Sequence, residues 1–187
     1  MLYSNMLKNI AMLTILFFGM MVSNPLAKFE VVPIQLPHIT KIDLKQLSCL
    51  ATNIFYEASG ESILGQAAVA RVVLNRVAHG FARTPCGVVY QTINVIKPDA
   101  ETGEDVPVKV CQFSWVCEDK PDPIKTSARY KQAEYIAREV LVNDAYKDVV
   151  PKSTLFFHNV LVNPSWPYRK VAEIGNHIFY SKEKRAQ

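Results

Sequence analysis

The chain has no Lys/Arg block dense enough to track a nucleic-acid backbone, and its net charge of +4 over 187 residues is mild. Nucleic acid is therefore not an expected partner. The charge would favour adhesion to an anionic polymer without identifying one. There is no Cys-x-x-Cys pair and no His-x-x-x-His pair, and the four histidines His38, His79, His158 and His177 are scattered. A zinc site of ordinary spacing has no foothold; no metal and no cofactor are expected. Internal repeats and low-complexity tracts are also lacking, which leaves one globular domain with a real core.

Charge is nearly missing from the N-terminus as well. Lys8 is the only charge before an apolar run from Ile10 to Val22. That run has the length of a signal-peptide hydrophobic region and is short for a membrane span. Ser23-Asn24-Pro25-Leu26-Ala27 follows, with Ala27 as a cleavage position and Pro25 unfavourable for a peptidase. Residues 1–27 thus read as a signal peptide or, uncleaved, as a membrane anchor through residues 10–22. Either way the remaining chain is expected outside the cytoplasm: periplasmic, cell-wall associated or anchored facing outward. Residues 28–42, with Pro33 and Pro37 and no period, read as an extended arm, and 43–187 as the functional domain, expected to be a monomer. Cys49, Cys86, Cys111 and Cys117 in an exported chain read as disulfides. Four cysteines allow three connectivities; a local Cys111–Cys117 bridge would pin the five residues between them.

Hydrophobic periodicity predicts a helix-rich α+β domain. Asp43 is a good N-cap for a helix ending near Ala58, with Gly60 suited to a left-handed residue after it. Ser62 could cap a second helix to about His79, with Gly80 beyond and Ala68, Val69, Val72, Val73 and Val77 inward. Pro85 could open a short helix. Residues 92–110 read as a loop with a hairpin around Glu101–Glu104. A third long helix is expected from Ser127 to Asn143. Thr154–His158 reads as a strand, and Gly175-Asn176 as the turn between two more.

One residue breaks the pattern. Leu47, Leu50, Ala51, Ile54 and Ala58 recur at helical spacing, and Glu57 falls on their face, three after Ile54 and seven after Leu50. A carboxylate on an apolar stripe costs free energy unless it is paired or useful. Burial raises its pKa, which suits an acid that must hold a proton near neutral pH. A structural Glu bonded to a backbone amide or to an Arg such as Arg71 accounts for the same placement.

The run Ile54-Phe55-Tyr56-Glu57-Ala58-Ser59-Gly60-Glu61, followed by Gly65-Gln66-Ala67-Ala68-Val69-Ala70, Val73-Leu74-Asn75-Arg76-Val77 and Cys86-Gly87-Val88-Val89-Tyr90-Gln91, resembles the cell-wall hydrolases of the spore-cortex lytic SleB/CwlJ type. Cys111-Gln112-Phe113-Ser114-Trp115, Phe157-His158-Asn159, Pro164-Ser165-Trp166 and Ile174-Gly175-Asn176-His177-Ile178-Phe179-Tyr180 continue the likeness in order, so that it covers nearly everything from Leu47 to Tyr180. The family pattern carries Arg where this chain has Ser59. The resemblance implies a lysozyme-like fold with small antiparallel β pieces, peptidoglycan glycan strands as partner, and lytic transglycosylation or muramidase-type cleavage between N-acetylmuramic acid and N-acetylglucosamine. The first Glu of the motif is the family's catalytic one, which carries over to Glu57 as the single acid/base.

Tyr56, Gln112, Ser114, Trp115, His158, Asn159, Trp166 and His177 are the candidate substrate-binding residues, because amide, hydroxyl and aromatic groups are what a sugar cleft needs. Several have a structural alternative: Trp115, like Phe113, as a core anchor, His158 as a structural residue after a strand, His177 as a turn-flanking surface residue, Trp166 as a packing lid. Glu61 reads as a cap or first-turn charge of the second helix, and Asn75 and Arg76 as makers of structural bonds. Glu118, Asp119 and Glu173 have no spacing argument for a second catalytic acid. The rival functions are an N-acetylmuramoyl-L-alanine amidase and a non-catalytic peptidoglycan-binding protein.

Overall fold

The computed structural model describes residues 43–184. The signal or anchor segment 1–27 and the arm 28–42 lie outside the described residues. The order of elements is α1 (Leu44–Ala58), α2 (Ile63–Ala78), α3 (Pro85–Val89), β1 (Thr92–Pro98), β2 (Asp105–Cys111), α4 (Ala128–Val142), β3 (Thr154–Asn159), β4 (Tyr168–Ile174) and β5 (His177–Lys184), with a 3₁₀ turn at Ser114–Val116. This is the expected α+β mixture of helices and small antiparallel sheets.

Local chemistry sets the helix starts. Asp43 accepts from the N–H groups of Lys45 and Gln46, Ser62 from Gly65, Thr84 from Gly87 and Ser127 from Tyr130. Each side chain satisfies a donor that the first turn leaves orphaned, worth about 1 kcal/mol. Gly80, with φ 77°, follows α2 as expected. Gly60 does not take a left-handed conformation. Ser59 closes α1 with φ −63°, and the Glu61 N–H bonds back to the Ala58 carbonyl, so the turn needs no positive φ there.

Helix α2 is the centre of the domain, and from Gly65 to Arg76 every residue but Leu74 is buried, rather than a single stripe. One side joins α1, α3 and α4 in a core that includes Leu50, Ile54, Val73, Val88, Val89, Ile136 and Val140. The other side, with Ala68, Val69 and Val72, packs with Val150 and Phe179 of the sheet region. Burying each large aliphatic side chain contributes about 1.5–3 kcal/mol. The sheet order is β3–β5–β4, all antiparallel, with β4 and β5 joined through Gly175-Asn176. The segment 92–110, read as mostly loop, forms a full hairpin pairing Thr92 with Cys111 through to Pro98 with Asp105. Its Val/Ile alternation was diluted by Pro98, Gly103 and Pro107, but only Pro107 falls within a paired stretch away from the hairpin's end, and it sits on an edge strand, where a missing N–H is tolerated.

The two disulfides are Cys49–Cys86 and Cys111–Cys117. The first ties α1 to α3, where the Cys86 N–H also donates to Gln46 Oε1 at 2.9 Å. The second closes the short segment that carries Gln112 to Trp115.

Candidate active site

The last turn of α1 brings Glu57 to the wall of a cleft of about 440 Å³. The rest of the lining comes from Arg76 on α2, Gln112, Phe113 and Ser114 in the disulfide-closed segment, Phe156, Phe157 and His158 on β3, and Val162 and Trp166 beyond it. Burial pushes the Glu57 carboxyl up to about 7, while the cations Lys120 and Arg76 pull the other way and Glu118 adds to the rise. Desolvation is the larger effect. Glu118 itself is exposed and held below the usual carboxylate range by hydrogen bonds from Lys120 and Ser114.

Arg76 is the cation in the lining of the cleft. It is 3% exposed, donates Nε–H to the Leu155 carbonyl at 2.7 Å, and lies over the rings of Phe113, Phe156 and Phe81 at 5.3–5.9 Å. With its carbonyl oxygen turned toward the guanidinium, the Gln112 amide accepts from Arg76 Nη1 at 3.0 Å and Nη2 at 3.3 Å. Desolvation lowers Arg76 to about 10, partly offset by the Glu57 carboxylate, so it remains charged at neutral pH. Arg71, the alternative partner considered for Glu57, is engaged elsewhere: it pairs with Asp144 at 2.6 Å and donates to the Ala145 carbonyl.

Of the candidate substrate-binding residues, Gln112, Ser114, His158 and Trp166 line the cleft with Glu57. His158 Nδ1 faces the Asn159 carbonyl at 2.8 Å, and Nε2 faces the Tyr180 hydroxyl at 2.9 Å. Both ring nitrogens are thereby engaged, and the imidazole is held edge-on to Trp166. Trp166 is half-buried among Phe156 and Tyr168 and lines the cleft.

The other four lie elsewhere. Trp115 is a core anchor: it is 8% exposed and its indole N–H donates to Asn53 Oδ1 at 3.1 Å. Tyr56 stacks on Trp115 with ring centroids 4.7 Å apart, and its hydroxyl donates to the Pro121 carbonyl. Asn159 Oδ1 accepts from the Leu161 N–H and shapes the loop after β3. His177 is buried behind Phe157 rather than on the surface beside its turn.

Sequence reasoning passed over Arg76, Phe156, Phe157 and Val162 as cleft residues. For Arg76 a signal was present. It stands four after Val72 and seven after Val69, so helical spacing puts it with those inward residues, as it puts Glu57 with Ile54 and Leu50. Asn75 makes structural bonds as expected, donating to the Pro151 and Thr154 carbonyls. Among the described residues, no group of three or more His, Cys, Asp or Glu side chains is placed to hold a metal ion.

The residues 60–180 match the family model of the cell wall hydrolases. The chain belongs to the cell wall hydrolase family. The matched stretch begins three residues after Glu57 and takes in the other cleft residues. Among solved structures, this hydrolase is similar to the catalytic domain of the Bacillus cereus SleB protein, at 22% identity and a TM-score of 0.48 over 76% of this chain and 94% of that one. It is also similar to the catalytic domain of the germination-specific lytic transglycosylase SleB from Bacillus anthracis, at 23% identity and a TM-score of 0.49 over 76% and 98%. No curated protein matches the hydrolase sequence.

Proposed function

We propose that the domain, with a lysozyme-like architecture, cleaves peptidoglycan glycan strands between N-acetylmuramic acid and N-acetylglucosamine by lytic transglycosylation, with Glu57 as the sole proton-transfer group. The observation that carries this reading is the state of Glu57: a carboxyl pushed up to about 7 by burial, in a cleft of mixed polar and aromatic lining that contains no second carboxylate among the described residues.

At neutral pH a large share of Glu57 is protonated and can donate to the glycosidic oxygen as the bond to the muramic anomeric carbon breaks. The leaving sugar departs with that proton. The positive charge of Arg76 then favours the carboxylate just formed and the transition state leading to it. Glu57 next takes the proton of the muramic 6-hydroxyl, whose oxygen bonds the anomeric carbon and closes a 1,6-anhydro ring. Atoms and charge balance without water, so one carboxyl suffices, whereas hydrolysis by paired carboxylates needs a second at a set separation. The Trp166 ring offers a flat face to a sugar, and Gln112 and Ser114 offer hydrogen bonds to acetamido and hydroxyl groups. The family pattern's Arg is Ser59 here, at the end of α1; in this reading the cations near the acid are Lys120 and Arg76 instead.

The oxidised cysteine pairs fit an exported domain reached through residues 1–27, acting at the cell wall as a monomer. The test is to digest purified peptidoglycan with the wild type and with Glu57→Gln, and to weigh the muropeptides. Anhydro-muramic ends from the wild type and none from the variant are expected. Reducing ends instead would make it a hydrolase, free L-alanine amino groups an amidase, and binding without products a non-catalytic protein.

A further inference from the structure

We propose that Glu61 is a positioning residue whose carboxylate bolts the end of α1 to the β4–β5 turn and so fixes the spacing of the two cleft walls that carry Glu57 and Phe157. The proposal rests on the reading of Glu57 as the acid. The side chain of Glu61 is 9% exposed, and its two oxygens accept from the Asn176 backbone N–H and from Asn176 Nδ2, both at 3.0 Å. A cap or first-turn charge on α2 would have no need of a partner 115 positions away. The main chain of Glu61 is held too: its N–H bonds to the Ala58 carbonyl and its carbonyl accepts from Gln66 Nε2 at 2.9 Å.

The turn is shaped around this carboxylate. A Cβ on Gly175 would stand 1.9 Å from Glu61 Oε2, and Gly175 has φ 58°, so both the approach and the backbone demand glycine. From the turn the contact runs on to the cleft. His177 meets Phe157 edge to face, with centroids 5.3 Å apart, and Phe157 lines the same cleft as Glu57. His177 Nδ1 lies 4.0 Å from Glu61 Oε1, but burial lowers the His177 pKa, so at neutral pH the clamp is made of the two Asn176 hydrogen bonds and not of an ion pair. Glu61 stands four positions after Glu57. A clamp at Glu61 therefore fixes where the last turn of α1 stands relative to the wall that carries Phe157.

The consequence is measurable at Glu57 itself. Burial is the main cause of its raised pKa, and the charged groups acting on it, Lys120, Arg76 and Glu118, are all left in place when the clamp is cut. The experiment is a carbon-13 NMR titration of the glutamate carboxyls in the full chain, wild type against Glu61→Gln, Gly175→Ala and Asn176→Ala. Glu57→Gln identifies the resonance. The wild-type midpoint is expected at about 7; opening the clamp should lower it by roughly 0.5–1 unit toward the ordinary Glu value as water enters. Asn176→Ala deletes one donor and keeps the other, so it preserves a folded comparison if the harsher variants do not fold. A midpoint that stays at the wild-type value in a variant with an unchanged circular-dichroism spectrum overturns the proposal. No substrate is used, so the outcome is separate from whether glycan strands are cleaved.

Discussion

Arg76 and Gln112 are joined by two hydrogen bonds, of 3.0 and 3.3 Å, across the floor of the cleft. With the Leu155 carbonyl on Nε, this fixes the guanidinium plane among Phe81, Phe113 and Phe156 and leaves its charge directed at the site of Glu57. The amide orientation that suits Arg76 also leaves the Gln112 N–H groups as the part of that side chain available to a ligand.

Replacing Arg76 by Gln should therefore act in three ways. Loss of the charge removes a pull that lowers the Glu57 pKa, so the alkaline limb of the pH–rate profile should move above pH 7. Loss of the cation beside the developing carboxylate should cut kcat by about 100-fold. Broken bonds to the Leu155 carbonyl and Gln112 should cost about 2 kcal/mol in urea unfolding. A limb that moves to lower pH would contradict the electrostatic assignment.

Glu57→Gln should stabilise the fold at high pH. The folded-state pKa is raised from 4.5 to about 7, so the unfolded chain ionises first. The contribution is fully present below pH 4.5 and is lost as pH rises through 7, to a total of about 3 kcal/mol. The variant should melt several degrees above the wild type at pH 8 and close to it at pH 4.5. Thermal unfolding at the two values checks the sign.

The two disulfides should differ in what their removal does. Cys49–Cys86 spans 37 positions and Cys111–Cys117 spans 6. Loop-closure entropy gives about 4 kcal/mol for the first and about 2 kcal/mol for the second. Double Cys→Ala variants in chemical denaturation test the order. The shorter bridge carries Gln112 and Ser114, so its loss should also raise KM for glycan.

Trp115→Phe distinguishes a core role from a sugar contact. The lost bond to Asn53 Oδ1 leaves a buried acceptor and should cost about 1–3 kcal/mol. Trp166→Ala, at the cleft, should leave stability less affected and raise KM on polymeric substrate. Urea unfolding and steady-state rates on the two variants separate the cases; a Trp115→Phe enzyme with normal stability and a raised KM would reverse the assignment.

The helices and their caps were legible because each is a local matter. Asp43, Ser62, Ser127 and the spacing of Leu47, Leu50 and Ile54 fix a hydrogen bond or a face within a few residues. The β1–β2 hairpin was mostly missed because two-stranded pairing is decided by cross-strand contacts, and Pro98, Gly103 and Pro107 obscure its alternation. Gly60 was misassigned because a glycine permits a left-handed turn without requiring one; the bond from Glu61 N–H to the Ala58 carbonyl made it unnecessary.

The sequence by itself determined that Glu57 shares an apolar helical face, since helical phase is set by spacing along one segment. It could not say what faces that carboxyl. Arg76 is 19 positions away and Phe157 a full 100, while the bond from Glu61 to Asn176 spans 115. Only packing α2 between the helical core and the sheet brings these groups to one cleft. The desolvation that lifts Glu57 to about 7 is a property of that enclosure and not of any residue in the motif.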